Sequence, residues 1–339
     1  MKVLITGGAG FVGTNLIPSL LDEGHDVYVY DNLAQGSYIP AVHDRVNFCK
    51  GDITSRETLF DYVGRVKPAV TFHFAGLVSI YDCHRDSASA LLNNVYGSLN
   101  VFDALLEHGC PRIIFSETSA VYENCALPQH GFCEDQSDPT TFYSTSKSCV
   151  ALMAESYART KGLEYTALRY FNVAGPIQDY RRTVPPLFAG FAIRLMAGNH
   201  PIIFGDGARR RDFIHVNDIN SFHLLAMKDS RTIGETYNLG RGESYSLLEI
   251  GSIVGDVLRK RGYDIPQEIT YTYMPEINGE AFDIYADITK AKGLGWEPTH
   301  SIAVALDDTV CYLEAEIARG AIVPSTYMSN INIENVKIG

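Results

Sequence analysis

The stretch KVLITGGAGFVGTNL, residues 2–16, sets the reading of everything that follows it. A short run of strand-forming residues, Lys2 to Thr6, leads into Gly7-Gly8-Ala9-Gly10-Phe11-Val12-Gly13, and helical spacing of apolar residues begins at once. Glycines at 7, 10 and 13 permit a tight turn, a close backbone approach to a pyrophosphate, and close packing of helix on strand. A glycine trio alone says little, since ordinary turns use glycine too. Set between a strand and a helix, it reads as a dinucleotide-binding loop, with Phe11 and Val12 as part of it.

Further apolar, β-branched runs follow at 27–31, 46–49, 70–74, 112–116 and 165–170. Helical periodicity fills the gaps at 11–23, 55–66, 85–108 and 140–161. Strand–helix alternation of this kind predicts an α/β fold, a Rossmann-type doubly wound parallel sheet. Past Asn172, prolines 176, 185 and 186 punctuate a loop, and the pattern becomes mixed. Helices are expected at about 187–197, 217–228, 246–260 and 300–318, with short strands at 201–204, 236–239 and 268–272. The expected organisation is an NAD-binding domain over 1–171 and a smaller mixed α/β substrate domain over 172–320. Some segments of the latter return to the first domain. Residues 321–339 read as a mobile or surface-draped tail.

A formal net charge of -12 argues against a nucleic-acid surface, which needs a basic field. The seven cysteines (49, 83, 110, 125, 133, 149 and 311) form no CxxC pair and no Cys/His cluster, so neither disulfides nor a metal site is expected. No secretory leader and no apolar run of membrane-spanning length is visible. The expected setting is the cytoplasm, with no membrane partner.

Asp31 closes the second strand, 18 residues beyond Gly13. A carboxylate there accepts hydrogen bonds from ribose hydroxyls and repels a 2′-phosphate; Asn32 and Leu33 follow with no nearby arginine, so NAD is favoured over NADP. A turn or capping role for Asp31 stays open. Asp52-Ile53 after the third strand is placed near the adenine, Asp52 as a contact to its amino group. Phe74, Ala75 and Gly76 end the fourth strand, where small residues let a cofactor lie against the backbone. His73 reads as a packed core histidine.

Tyr143 and Lys147 stand one helical turn apart, at the start of the helix after the fifth strand. A phenol ionises near pH 10; a neighbouring ammonium and a positive nicotinamide ring favour phenolate and make it a usable base. The run Ser116-Glu117-Thr118-Ser119 ends the fifth strand, and Thr118 or Ser119 could hydrogen-bond a substrate oxygen beside Tyr143.

These motifs, with Asn94, Leu168-Arg169-Tyr170-Phe171-Asn172, Gly205-Asp206-Gly207, Arg211-Asp212-Phe213 and Ala286-Asp287, resemble the extended short-chain dehydrogenase/reductase family. Within it the chain is most similar to the nucleotide-sugar epimerase/dehydratase group of the UDP-galactose (UDP-glucose) 4-epimerase type, over about residues 1–318. The resemblance implies bound NAD, a nucleotide-diphosphate sugar as substrate (a UDP-sugar first) and a homodimer built on helices near 90–108 and 143–160. It implies catalytic roles for Tyr143, Lys147 and Thr118. Asn94, Ser116 and Tyr170 join the cofactor site, and Val78, Ser119, Asn172 and Arg211 the substrate site. Arg209 and Arg210 read as a solvated charge run.

Four departures stand out. Glu117 interrupts the strand-end hydroxyls, Glu123 replaces a glycine, Val78 stands where some relatives carry lysine, and residues 274–280 lack a second phosphate-binding arginine. Ser119-Ala120 occupy the positions of a dehydratase acid/base pair, which disfavours elimination. The expected reaction is 4-epimerisation through a 4-keto sugar. The alternatives are another NAD-dependent sugar-nucleotide enzyme (dehydrogenase, reductase, dehydratase or epimerase at another carbon) and, last, a non-catalytic NAD-binding sensor.

Overall fold

Seven parallel strands make the central sheet: β1 (Lys2–Thr6), β2 (Asp26–Asp31), β3 (Asn47–Lys50), β4 (Val70–His73), β5 (Arg112–Thr118), β6 (Glu164–Tyr170) and β7 (Glu235–Leu239). Their order is β7-β6-β5-β4-β1-β2-β3, so the chain winds outward from β1 and then starts again from β4 on its other side. This computed structural model describes residues 1–34, 44–126, 128–182, 184–276 and 282–327.

The longer helices are α1 (Phe11–Asp22), α2 (Arg56–Val66), α3 (Gly97–Glu107), α4 (Phe142–Lys161), α5 (Leu187–Met196), α6 (Val216–Lys228), α7 (Leu247–Lys260) and α8 (Ile302–Ala318). Side chains alternate along each strand, which is why the apolar runs are nearly continuous: both faces are covered. Val3, Ile5, Ile114 and Leu168 pack under α1 and α6, while Leu4, Ile113, Phe115 and Ala167 pack under α2, α3 and α4. A third core, built from α5, α7 and α8 around Phe188, Ile250 and Leu306, supports the smaller lobe.

Several expectations need correction. The helix expected over 85–108 is interrupted: Ile80–Arg85 and Ser87–Ala90 are short helices, and Leu91–Tyr96 is a π-helical turn leading into α3. Such turns turn a side chain out of the usual register; here Asn94, only 2% exposed, bonds to Leu77 and Ser146. The fifth strand runs on to Thr118, because its pairing with β6 continues from Arg112↔Glu164 to Thr118↔Tyr170. The strand near 236–239 is one of the segments expected to return, and it pairs with β6 in the central sheet. The strand expected at 268–272 lies instead at Thr272–Met274, in register with Ile202–Phe204. Part of the tail is docked, with Tyr327 donating to the Tyr180 carbonyl at 2.6 Å; residues 328–339 fall outside the described residues. Among the described residues no helix is long and apolar enough to cross a membrane.

Arg112 holds the far end of the sheet together. Buried at the start of β5, it donates to Glu164 O (3.0 Å), Thr166 Oγ1 (2.9 Å), Ala226 O (2.6 Å) and Thr232 Oγ1 (3.0 Å), joining β6 to the end of α6 and the turn before β7. Arg112→Ala is expected to cost about 3 kcal/mol or more, since each hydrogen bond to a charged donor is worth roughly 1.5–3 kcal/mol and the acceptors stay buried. Urea unfolding followed by circular dichroism checks this.

Candidate active site

A cleft of about 630 Å³ runs along the carboxyl ends of the strands, from the glycine loop past Ala75 and Gly76 to Tyr143, Asn172 and Arg211. It opens where the winding reverses, between β1 and β4, the crevice that neither set of crossovers covers. Gly7 has φ 72°, and a Cβ there would lie 2.5 Å from Ala75 N. At Gly13 a Cβ would come within 2.6 Å of Gly8 Cα, so only glycine lets α1 begin this close to the loop. Gly10 is the N-cap of α1 and offers no side-chain cap, which leaves the helix terminus beside Phe11 and Val12 open to an anion.

Asp31 is 7% exposed and organises that loop: Oδ2 accepts from Ala9 N at 3.0 Å and Oδ1 from Leu33 N at 2.7 Å. It lines the cleft with Asn32, Ile53, Phe74, Ala75 and Gly76. These residues fit a dinucleotide: a glycine cradle that a Cβ would fill, an open helix N-terminus and an acid at the ribose end. Asp52 is placed differently from its neighbours. Its Oδ1 takes Thr54 N and Oγ1, its Oδ2 takes Asn32 Nδ2, and Gly51 and Ile53 line the cleft in its stead. Asn94 is likewise behind the wall. Its amide bridges both backbone atoms of Leu77 to Ser146 Oγ, tying the end of β4 to α4. His73 is a core residue held between Thr6 and Ser98, with burial pushing its imidazole down to about 3.

Thr141 caps α4 through a reciprocal bond with Ser144, and Tyr143 and Lys147 follow on one face. Lys147, 6% exposed, donates to Ser116 O at 3.1 Å and to Ser116 Oγ at 3.3 Å. Burial lowers its ammonium to about 8, and the Glu117 carboxylate opposes that. Tyr143 stands one turn before Lys147 on α4. Burial raises its phenol above the ordinary value, while a hydrogen bond with Thr118 and the charge of Arg182 pull the other way. Lys147 itself is directed to Ser116. Tyr170 presents to the cleft, with its hydroxyl 2.6 Å from His223 Nε2.

The two unexpected carboxylates are each engaged by protein groups. Glu117 alternates away from Ser116 and Thr118, and its Oε2 accepts from Arg169 Nε at 2.6 Å in the interior. Arg169 also donates to Tyr122 and to the Glu134 and Gln136 carbonyls, and Tyr122 donates to Asn238. Glu123 bonds to the start of α4.

On the substrate side, Val78, Thr118, Ser119, Tyr143, Asn172 and Arg211 meet around an adjoining hollow of about 260 Å³. Asp212, fully buried, accepts from Arg241 N, Gly242 N and Ala286 N; burial raises it to about 6 against those bonds. This pins the strand segment carrying Arg211. Arg209 and Arg210 are not a solvated run: Arg209 is 9% exposed and pairs with Glu276, and Arg210 pairs with Glu249. Glu276 thus occupies an arginine rather than a phosphate. The part of the 274–280 departure from Ile277 onward lies outside the described residues. Sequence reasoning missed Gln178, Arg181 and Arg182, which line the cleft from the loop after β6. A basic pair in a proline-punctuated loop of an acidic chain was the available signal.

The profile of the NAD dependent epimerase/dehydratase family matches residues 3–240. UDP-glucose 4-epimerase of Corynebacterium glutamicum is 32% identical over 318 residues, covering 89% of this chain and 92% of that protein. The crystal structure of UDP-glucose 4-epimerase with UDP-glucose from Thermotoga maritima is 31% identical with a TM-score of 0.87, covering 94% of this chain and 100% of that one. That of the Thermus thermophilus enzyme in complex with NAD is 26% identical, TM-score 0.84, covering 95% and 100%. The glycine loop, the acid at the end of β2 and the Tyr143–Lys147 turn therefore sit in a chain that belongs to the NAD-dependent epimerase/dehydratase family.

Proposed function

We propose that this protein is a nucleotide-sugar 4-epimerase acting on UDP-hexoses. The observation that carries the reading is the meeting of Tyr143 and Thr118 at the end of the cleft that begins at the glycine loop. Relatives at about 30% identity named UDP-glucose 4-epimerase support it, as does a similar structure holding UDP-glucose.

The Gly7–Gly13 loop, Asp31 and the backbone at Ala75-Gly76 would hold NAD, with Lys147 and Ser116 at its reactive end. NAD so held supplies a two-electron acceptor for the sugar C4 carbon and returns those electrons. Tyr143 takes the proton from the 4-hydroxyl and gives it back after the 4-keto sugar has turned over. Thr118 aligns the phenol, and the buried Lys147 ammonium adds positive charge near it. Arg211 and Asn172 face the diphosphate, Arg211 as a charge-assisted donor. An epimerase needs no further acid or base, which matches the apolar Val78 and the small Ser119-Ala120 beside Thr118.

The working form is a homodimer in the cytoplasm. Leu91, Leu92 and Tyr96 on the π-helical turn and Leu152 on α4 are 52%, 50%, 43% and 65% exposed, on elements that pack together. Val101 and Phe102 on α3 and Val150 on α4 are core residues instead. An exposed apolar group of this kind supports association of two copies.

Tyr143→Phe should lower kcat by roughly 10²–10⁴ with NAD still bound, the usual worth of a general base; proton NMR of a UDP-galactose/UDP-glucose interconversion reads it. Asp31→Ala should weaken NAD by about tenfold or more and erode discrimination against NADP, since the loop loses two backbone anchors and the ribose its acceptor. Fluorescence titration of both cofactors measures this. Light scattering should give a dimer for the wild type and a monomer for Leu92→Glu/Leu152→Glu; a wild-type monomer at micromolar concentration ends the dimer proposal.

A further inference from the structure

Glu123 follows the 3-10 turn Ser119–Tyr122 that carries the chain off β5 immediately after Thr118. Its carboxylate is bound on both oxygens. Oε2 accepts from Thr140 N (3.3 Å), Thr140 Oγ1 (3.0 Å), Thr141 N (3.1 Å) and Ser144 Oγ (2.8 Å), and Oε1 accepts from Thr141 Oγ1 (3.2 Å). Thr141 and Ser144 are the two members of the α4 capping box, and Tyr143 lies between them. One side chain therefore ties the turn after Thr118 to the first turn of the helix that carries Tyr143.

We propose that Glu123 is a positioning residue for the reaction: it sets the separation of Thr118 from Tyr143 and so aims the phenol at the substrate hydroxyl. Helix stability alone does not call for it, because Thr141 already caps α4 and such a cap is worth about 1 kcal/mol. The additional bonds fix where the helix starts relative to β5, and misplacement by about 1 Å can cost roughly 10²-fold in rate. Glu123 also lines the hollow beside Tyr143, so its charge is felt there. The groups acting on the phenol are the Thr118 hydroxyl from β5, Arg182 from the loop after β6, Cys83 from the helix Ile80–Arg85, and Glu123; Tyr170 lies beside it on β6 and Lys147 one turn along α4. Arg182 favours phenolate and Glu123 opposes it.

The inference rests on Tyr143 as the proton-transfer group, and the test separates the two. Glu123→Ala should lower kcat about 10- to 100-fold, with KM for UDP-glucose changed less than about threefold and NAD titration unchanged. Glu123→Gln keeps an acceptor oxygen, so it should restore most of kcat. Removing the negative charge lowers the phenol pKa, so the acidic limb of the kcat/KM profile should move to lower pH. The same shift should appear without turnover, as the tyrosinate absorbance that Tyr143→Phe removes, titrated with NAD⁺ bound. Unimpaired turnover in Tyr143→Phe would sink the functional reading while leaving that titration to judge Glu123. A Glu123→Ala enzyme within twofold of wild-type kcat, or a Glu123→Gln enzyme as impaired as Glu123→Ala with an unmoved phenol titration, overturns the inference.

Discussion

The close approach of the β1–α1 loop to the end of β4 governs the rest of the molecule. Gly7 lies against Ala75 so tightly that no side chain fits between them, and Asp31 draws Ala9 and Leu33 into place from the next strand. Three strand ends are thereby held in one rim at the reversal of the sheet. Everything the cleft does is measured from that rim: Asn94 carries its position to α4, and β5 delivers Thr118 beside the helix.

Behind the rim sits a buried ionic network. Glu117 and Arg169 come from neighbouring strands and meet in the interior, with Tyr122 and Asn238 continuing the chain of bonds to β7. Removing two charges from water is costly, and an apolar pair of the same volume would often do as well for stability. What the network adds is a defined register for the ends of β5, β6 and β7, which fixes where Thr118 and Tyr170 emerge.

The features legible in the sequence are those whose partners are near in the chain or whose residue types are uncommon at that spacing. The glycine loop, Asp31 and the one-turn spacing of Tyr143 and Lys147 carry their geometry with them. Strand–helix alternation was readable for the same reason, since period and apolar runs are local. The π-helical turn was not, because the partners of its Asn94 side chain, Leu77 and Ser146, are distant in the chain. Gln178 and Arg182 were invisible and Glu123 stood out only as a departure, since their positions follow from how loops fold back over the strand ends. The effect of burial on the Tyr143 phenol was not legible, because desolvation is a tertiary quantity.

The chain leaves the central sheet after β6 and re-enters it at α6 and β7 before going on to α7 and α8. The two lobes are therefore interleaved in sequence, and no single cut releases both intact. A fragment ending at Tyr170 would expose the long edge of β6 and strip α6 from the face under Ile114 and Leu168, a ready template for strand addition between copies. Swapping substrate lobes between relatives would need three junctions, one after β6 and one on each side of the α6–β7 segment, rather than a simple fusion.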